Sequence, residues 1–342
     1  MSDSKNNRFQ WPIVGHSNIV SYLQQSLLNG RLAQAYLFVG PLQVGKTTIV
    51  KSFVNSLVCE NLHQGKELVP CGQCQHCRQV TNKIHPDIFW LERIDNEKTG
   101  KLKKNIGIEQ IRELQNKLSL HSFLDSYKIA VINEAQTLSS EAANSLLKTL
   151  EEPTPKTIII LLTTSLASLP QTIVSRCQIL KFLPVSSQEI FDYLISLKVE
   201  RKKAKVLAAL AFGRPGLAID YFNEPENYLT FQDQTKQLIT LVKADLTSRF
   251  KIVNDLALGN DVNSIKESLS NWQRIFRDLS LIKIGAENLI SNLNLQTELK
   301  SLAEGYSRDN LLKIMAEITT AKRYLDANVN PKLTLENLIL NF

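Results

Sequence analysis

Five runs of nearly uninterrupted apolar residues mark the first half of the chain: "AYLFV" (35–39), "DIFWL" (87–91), "KIAVI" (128–132), "TIIILLT" (157–163) and "QILKFL" (178–183). Each has the length of a strand. None alternates cleanly between apolar and polar, which predicts strands covered on both faces. Helical spacing lies between them. In "GIEQIRELQNKLSL" the positions Ile108, Ile111, Leu114 and Leu118 recur at the period of one helix face. "TLSSEAANSLLKTLEEP" predicts another helix, capped by Ser139 or Ser140 and closed by Pro153. From Trp11 to Val185 the alternation predicts an α/β fold, a parallel sheet flanked by helices.

Beyond Pro184 no further strand is expected. Residues 186–225 read as short helices broken at "GRPG" (213–216), and residues 226–342 as longer amphipathic helices. In the last of these regions Leu311, Met315, Ile318, Lys322 and Leu325 are expected to form one buried stripe. The chain therefore divides into a flexible tail (1–10), an α/β domain (11–185), a small helical domain (186–225) and an all-α C-terminal domain (226–342). The lysine-rich piece 96–105 reads as a solvated loop.

Composition narrows the class only a little. The hydrophobic share of 43% and charged share of 21% are those of ordinary globular proteins. A net charge of +7 permits an anionic partner without requiring one. The apolar run Ile158–Leu162 is far short of the ~20 residues that cross a bilayer. The first ten residues lack the apolar core of an export signal, so a cytoplasmic location without membrane contact is expected. In that compartment cysteines favour metal over disulfides.

Chemistry enters at residues 40–47, "GPLQVGKT", which fit G-x-x-x-x-G-K-[ST] between a predicted strand and a predicted helix. Gly40 and Gly45 let the backbone curl so that its N–H groups converge on phosphate oxygens, and the helix N-terminus adds partial positive charge. Lys46 is placed to reach the β- and γ-phosphates. Thr47 offers a hydroxyl to magnesium, with Thr48 beside it. The predicted strand 128–132 runs into Asn133-Glu134, where many nucleotide hydrolases carry Asp-Glu. Asn133 offers magnesium a neutral oxygen in place of a carboxylate, while Glu134 retains the group that polarises water. ATP binding is expected to survive, with magnesium held weakly and hydrolysis slow or absent.

Cys59, Cys71, Cys74 and Cys77 read C-x11-C-x2-C-x2-C, a thiolate set suited to a closed, structural tetrahedral zinc site within a module at 59–77. His63 or His76 is an alternative ligand in place of one cysteine, and an iron–sulfur cluster is the rival occupant. Cys177 stands apart and is not expected to join them.

With "GRLAQAYLFVGPLQVGKTT", "PCGQCQHCRQV", "EAANSLLKTLEEP" and "LPQTIVSRCQ" in place, the chain resembles the bacterial DNA polymerase III clamp-loader subunits, members of the AAA+ ATPases. "NVNPKLTLENLIL" is similar to the end of their helical collar. The resemblance implies an AAA+ domain at 11–185, a lid at 186–225 and an oligomerising collar at 226–342. It also implies Thr163 or Thr164 as sensor, Arg214 near the second sensor position, and Arg176 of "SRC" as a finger acting in trans. Within the family, "HPDIFWLE", the helix after it and Asn133 look like the delta-prime branch; a gamma/tau-like ATPase motor is the alternative. The implied partners are gamma/tau and delta subunits in a hetero-pentamer, the sliding clamp, and primer-template DNA met through its phosphates. A generic nucleotide-binding switch would need neither "LLKTLEEP" nor "SRC". Nothing in the chain resembles a polymerase active site.

Overall fold

The computed structural model describes residues 8–66, 68–95, 100, 103–120, 122, 127–259 and 261–342, the His63 side chain excepted. These form two compact units, one of residues up to Glu189 together with Gly213–Gly216, the other of Ile190–Phe212 and Leu217–Phe342.

The first unit is built on a parallel five-stranded sheet. Its strands are β1 (Ala35–Val39), β2 (Ile88–Leu91), β3 (Lys128–Ile132), β4 (Thr157–Thr163) and β5 (Gln178–Lys181), in the order β2-β3-β4-β1-β5. All five lie where the apolar runs placed them. β1, β3 and β4 are central, and nearly every residue in them is buried. Successive side chains serve opposite faces, as strand geometry requires. Tyr36, Phe38, Ile129 and Val131 enter one core cluster, and Leu37, Ala130, Ile132 and Leu161 enter the other.

The helices of this unit are α1 (Ser17–Asn29), α2 (Lys46–Val58), α3 (Glu60–His63), α4 (Gln75–Thr81), α5 (Ile108–Ser119), α6 (Ser140–Glu151) and α7 (Gln171–Val174). α1 and α2 supply Leu23, Leu27, Ile49, Phe53 and Leu57 to the first cluster. α5 and α6 supply Ile111, Leu114, Leu118, Leu146 and Leu150 to the second. Each such side chain contributes about 1.5–3 kcal/mol on full burial. Ser139, not Ser140, caps α6 by accepting from the Ala142 N–H at 3.1 Å.

Part of the expected tail is held in place. Phe9 is buried and bridges to Val69, while Arg8 donates to the carbonyls of Asn61, Leu62 and Lys66 at 2.8–3.0 Å. Residues 1–7 of that tail lie outside the described residues, as do 96–99 and 101–102 of the expected lysine-rich loop.

The second unit is helical. After α8 (Ser187–Ser196) come α9 (Arg201–Leu210), α10 (Pro215–Asn223), α11 (Pro225–Lys243), α12 (Leu246–Gly259), α13 (Val262–Lys283), α14 (Gln296–Glu304), α15 (Arg308–Asp326) and α16 (Pro331–Ile339). Trp272 and Phe276 of α13 pack against Phe342 with ring centroids 5.7 and 5.0 Å away. The α15 stripe differs from expectation: Leu311, Ile314, Ile318, Ala321 and Leu325 are buried. Met315 and Lys322 flank them half-exposed, because a stripe that follows the 3.6-residue turn takes the i+3 step at Ile314 and Ala321. Lys322 ends on the Gln273 side chain, 2.8 Å away.

Candidate functional site

Strand order determines which residues meet. β4 lies between β1 and β3, and the register sets Val39 beside Thr163 and Ile132 beside Leu161. The strands are parallel, so Gly40, Asn133 and Thr164 emerge at the same edge of the sheet.

The loop after β1 is fixed at three points. The Gly40 N–H donates to the Thr163 carbonyl at 3.2 Å, and a Cβ at Gly40 would sit 2.4 Å from the Phe182 carbonyl oxygen, so only glycine fits. His16 Nε2 lies 3.0 Å from the Val44 carbonyl, and the Gly216 N–H donates to the Gln43 carbonyl at 2.9 Å. Gly45 has φ 112°, the turn that starts α2 at Lys46. Lys46 is buried and folds back on the Gly40 and Pro41 carbonyls. Burial pushes its ammonium down to about 8. Thr47 and Thr48 are exposed at the first turn of α2. Arg214 stands two residues before Gly216 and is partly buried. The loop thus presents a helix N-terminus, a lysine and two hydroxyls on one side of a short turn, an arrangement that suits a polyphosphate.

At the end of β3, Asn133 lies 3.3 Å through Nδ2 from Glu92 Oε1, and its Oδ1 accepts the Glu134 N–H at 3.1 Å. Glu134 takes a left-handed backbone, φ 50°. Its carboxylate is held by Arg93, with Nε at 2.8 Å and a terminal nitrogen at 2.7 Å on the same oxygen. Sequence reasoning missed Arg93. The signal was the Glu92-Arg93 pair directly after β2, the neighbour of β3, since register sets Leu91 beside Ile132.

Of the two sensor candidates, Thr163 is buried, with its hydroxyl on the Ser165 carbonyl and near Ser168, while Thr164 is exposed. Arg176 lies just beyond α7, away from the loop's own contacts. It is exposed, pairs with Glu151 at 2.6 Å and donates to the Thr172 carbonyl at 2.9 Å.

The four cysteine sulfurs lie within 4.8 Å of one another, and those of Cys71 and Cys77 are 3.9 Å apart. A tetrahedral zinc with Zn–S bonds of about 2.3 Å separates its sulfurs by about 3.8 Å, so the cluster fits the ion. Backbone N–H groups of Cys71, Cys74 and Cys77 point at the sulfurs of Cys59, Cys71 and Cys74 at 3.3–3.4 Å. Burial pushes the Cys71 thiol up, but the N–H groups of Cys74 and Gln73 outweigh it and bring the group down to about 7. Burial drives Cys59 and Cys77 upward. A bound cation would offset that crowding of thiolate charge. His76 is engaged elsewhere, its Nδ1 3.0 Å from His85 Nε2. Cys177 is outside the cluster, and burial holds its thiol up at about 11.

A parallel sheet of this order, with the Gly-Lys-Thr loop on β1 and Asn-Glu on β3, defines a P-loop protein of the AAA+ class, a fold that implies nucleotide binding. The chain belongs to the family described as DNA polymerase III, delta subunit, which matches residues 15–186, and the C-terminal region of that family matches residues 229–342. It is a clamp-loader subunit of DNA polymerase III, a component of DNA replication. The delta-prime subunit of Bacillus subtilis is 29% identical over 328 residues, 94% of each chain. The tau subunit of that organism is 27% identical over 349 residues, 95% of this chain but 59% of tau's length. The delta-prime subunit of Haemophilus influenzae is 33% identical over 208 residues, 60% of each. No helix among the described residues is long and apolar enough to cross a membrane.

Proposed function

We propose that the chain is a delta-prime-like subunit: it binds ATP without turning it over efficiently and assists its neighbours in loading a sliding clamp onto primed DNA. The observation that carries this reading is the pair Asn133 and Glu134. The magnesium position lacks a carboxylate, and the water-activating carboxylate is neutralised by Arg93. The loop residues Gly40, Gly45, Lys46, Thr47 and Thr48 would hold the phosphates, with Thr163 or Thr164 and Arg214 as sensors and magnesium weakly bound. The four cysteines would hold zinc, which supplies structural cross-linking of 59–77 and no reaction step.

In this reading Arg176 acts in trans on a neighbouring gamma/tau subunit. It is exposed, and its ion pair with half-exposed Glu151 is of the kind that contributes about 0–1 kcal/mol, so it can be exchanged for a phosphate oxygen. Residues 186–225 would serve as the lid and 226–342 as the collar that joins the delta and gamma/tau subunits in a pentamer. DNA would be met through its phosphates. The alternative is a gamma/tau-like motor, favoured by the complete Gly40–Thr47 loop and by the tau match along 95% of the chain.

The deciding experiment is ATP binding and turnover by the purified chain with magnesium, beside Asn133→Asp. Binding with negligible turnover in the wild type supports the delta-prime reading. Motor-like turnover supports gamma/tau.

A further inference from the structure

Eight residues, Lys198 to Lys205, hold five cations, Lys198, Arg201, Lys202, Lys203 and Lys205, against one carboxylate, Glu200. All five are exposed, and none forms an ion pair with a described residue. This excess is more than half of the chain's net +7. Three of the cations occupy the first turn of α9, where the helix dipole disfavours positive charge. Arg201 and Lys205 are spaced i, i+4, where like charges repel. The fold therefore tolerates this concentration of charge without gaining from it.

The opposite face of α9 is already in use. Ala204, Leu207, Ala208 and Leu210 are buried within the protein, so the helix has no apolar face with which to enter a lipid surface. Two cations are steadied by rings. Arg201 stands 5.7 Å from the centroid of Phe191 and Lys203 5.4 Å from that of Phe222. Lys202 and Lys205 are exposed on the same stretch of α9. Cations held on one helix, two of them backed by aromatic rings and none paired with a carboxylate among the described residues, match a regular chain of negative charges.

We propose that the start of α9, with Lys202 and Lys205 at its centre, is a binding surface for the phosphodiester backbone of DNA. The contacts are to phosphates, so binding is independent of base sequence and weakens steeply with salt. This inference deepens the proposed contact with DNA and rests on it, by assigning it to named residues.

The test is fluorescence anisotropy of the full chain with a labelled duplex and a labelled single strand of equal length, over a salt series. Variants are Lys202→Ala/Lys205→Ala and, as a control that removes the same two charges, Lys283→Ala/Lys313→Ala at exposed positions of α13 and α15. The expected result is binding at low salt that the double variant weakens about tenfold, with the salt slope reduced by about 2, while the control changes neither. A preference for duplex or for single strand identifies which form supplies the phosphates. Equal affinity and slope in the wild type and the double variant would overturn the α9 assignment and leave DNA contact elsewhere intact. Absence of DNA binding by the wild type at low salt overturns both readings. Polyglutamate competing as well as DNA at equal charge reassigns the surface to acidic proteins and also overturns the proposal.

Discussion

Arg93 and Glu134 come from neighbouring strand ends and share one carboxylate oxygen, with two guanidinium nitrogens at 2.8 and 2.7 Å. A carboxylate oxygen so engaged is occupied by the guanidinium and is not free to orient a water. Arg93→Ala removes an ion pair whose side chains are a quarter to a third exposed, so stability is expected to fall by about 1 kcal/mol. ATP turnover in Arg93→Ala/Asn133→Asp is expected to exceed that in Asn133→Asp alone. Equal turnover in the two would show that the pair does not restrain Glu134.

Nucleotide affinity is expected to depend on pH through Lys46. Its folded ammonium titrates near 8, below its ordinary 10.5, because burial disfavours the charge. Between those values the unfolded chain holds a proton that the folded chain has lost. Lys46 therefore makes the free protein more stable as pH rises from about 8 to 10.5. Phosphates require the charged form. ATP affinity is thus expected to fall above pH 8, approaching tenfold per unit, with proton uptake on binding that calorimetry in buffers of different ionisation enthalpy will detect. Lys46→Arg is expected to remove that pH dependence even if it binds more weakly.

Arg176→Ala is expected to leave the isolated chain's melting temperature within about 2 °C, since the residue is exposed and its pair with Glu151 is weak. In the reconstituted complex the site it serves should lose about 10³-fold in hydrolysis rate. Unchanged DNA-stimulated ATPase in a complex carrying this variant would remove Arg176 from the trans role.

Four thiolates converging within 4.8 Å predict one zinc per chain by elemental analysis. Cys74→Ser is expected to reduce that occupancy and lower stability by at least about 2 kcal/mol, read as a shift of several degrees in melting. Iron and a visible absorption band in place of zinc would support the rival cluster.

Ile314→Ala is expected to destabilise the helical unit by about 2–5 kcal/mol, because it empties a fully buried site. Lys322→Ala, at a half-exposed residue bonded to Gln273, should change stability by less than about 1 kcal/mol. The contrast checks which residues of α15 face the core.

The sheet was legible because parallel strands buried on both faces leave unbroken apolar runs, and β1, β3 and β4 are such runs. The phosphate loop was legible because its chemistry is contained in eight consecutive residues. Arg93 was not, since it reaches Glu134 across 41 positions and the partnership follows from strand order, which local patterns do not encode. The α15 stripe was partly misread at Lys322, whose long stem keeps the spacing of a core position while its charge stays outside. Phe9 was hidden in a polar stretch, although an aromatic beside an arginine was a signal that the stretch docks.

That docking has a practical consequence for handling the protein. Arg8 and Phe9 fasten the start of the described chain to the segment between Cys59 and Cys71. A group joined to the chain just before Arg8 is therefore kept beside that segment. A polyhistidine tag placed there would be held at high local concentration beside four thiolates and would compete for their metal. Comparing the zinc content of preparations with and without such a tag would show how firmly the cysteines hold what they bind.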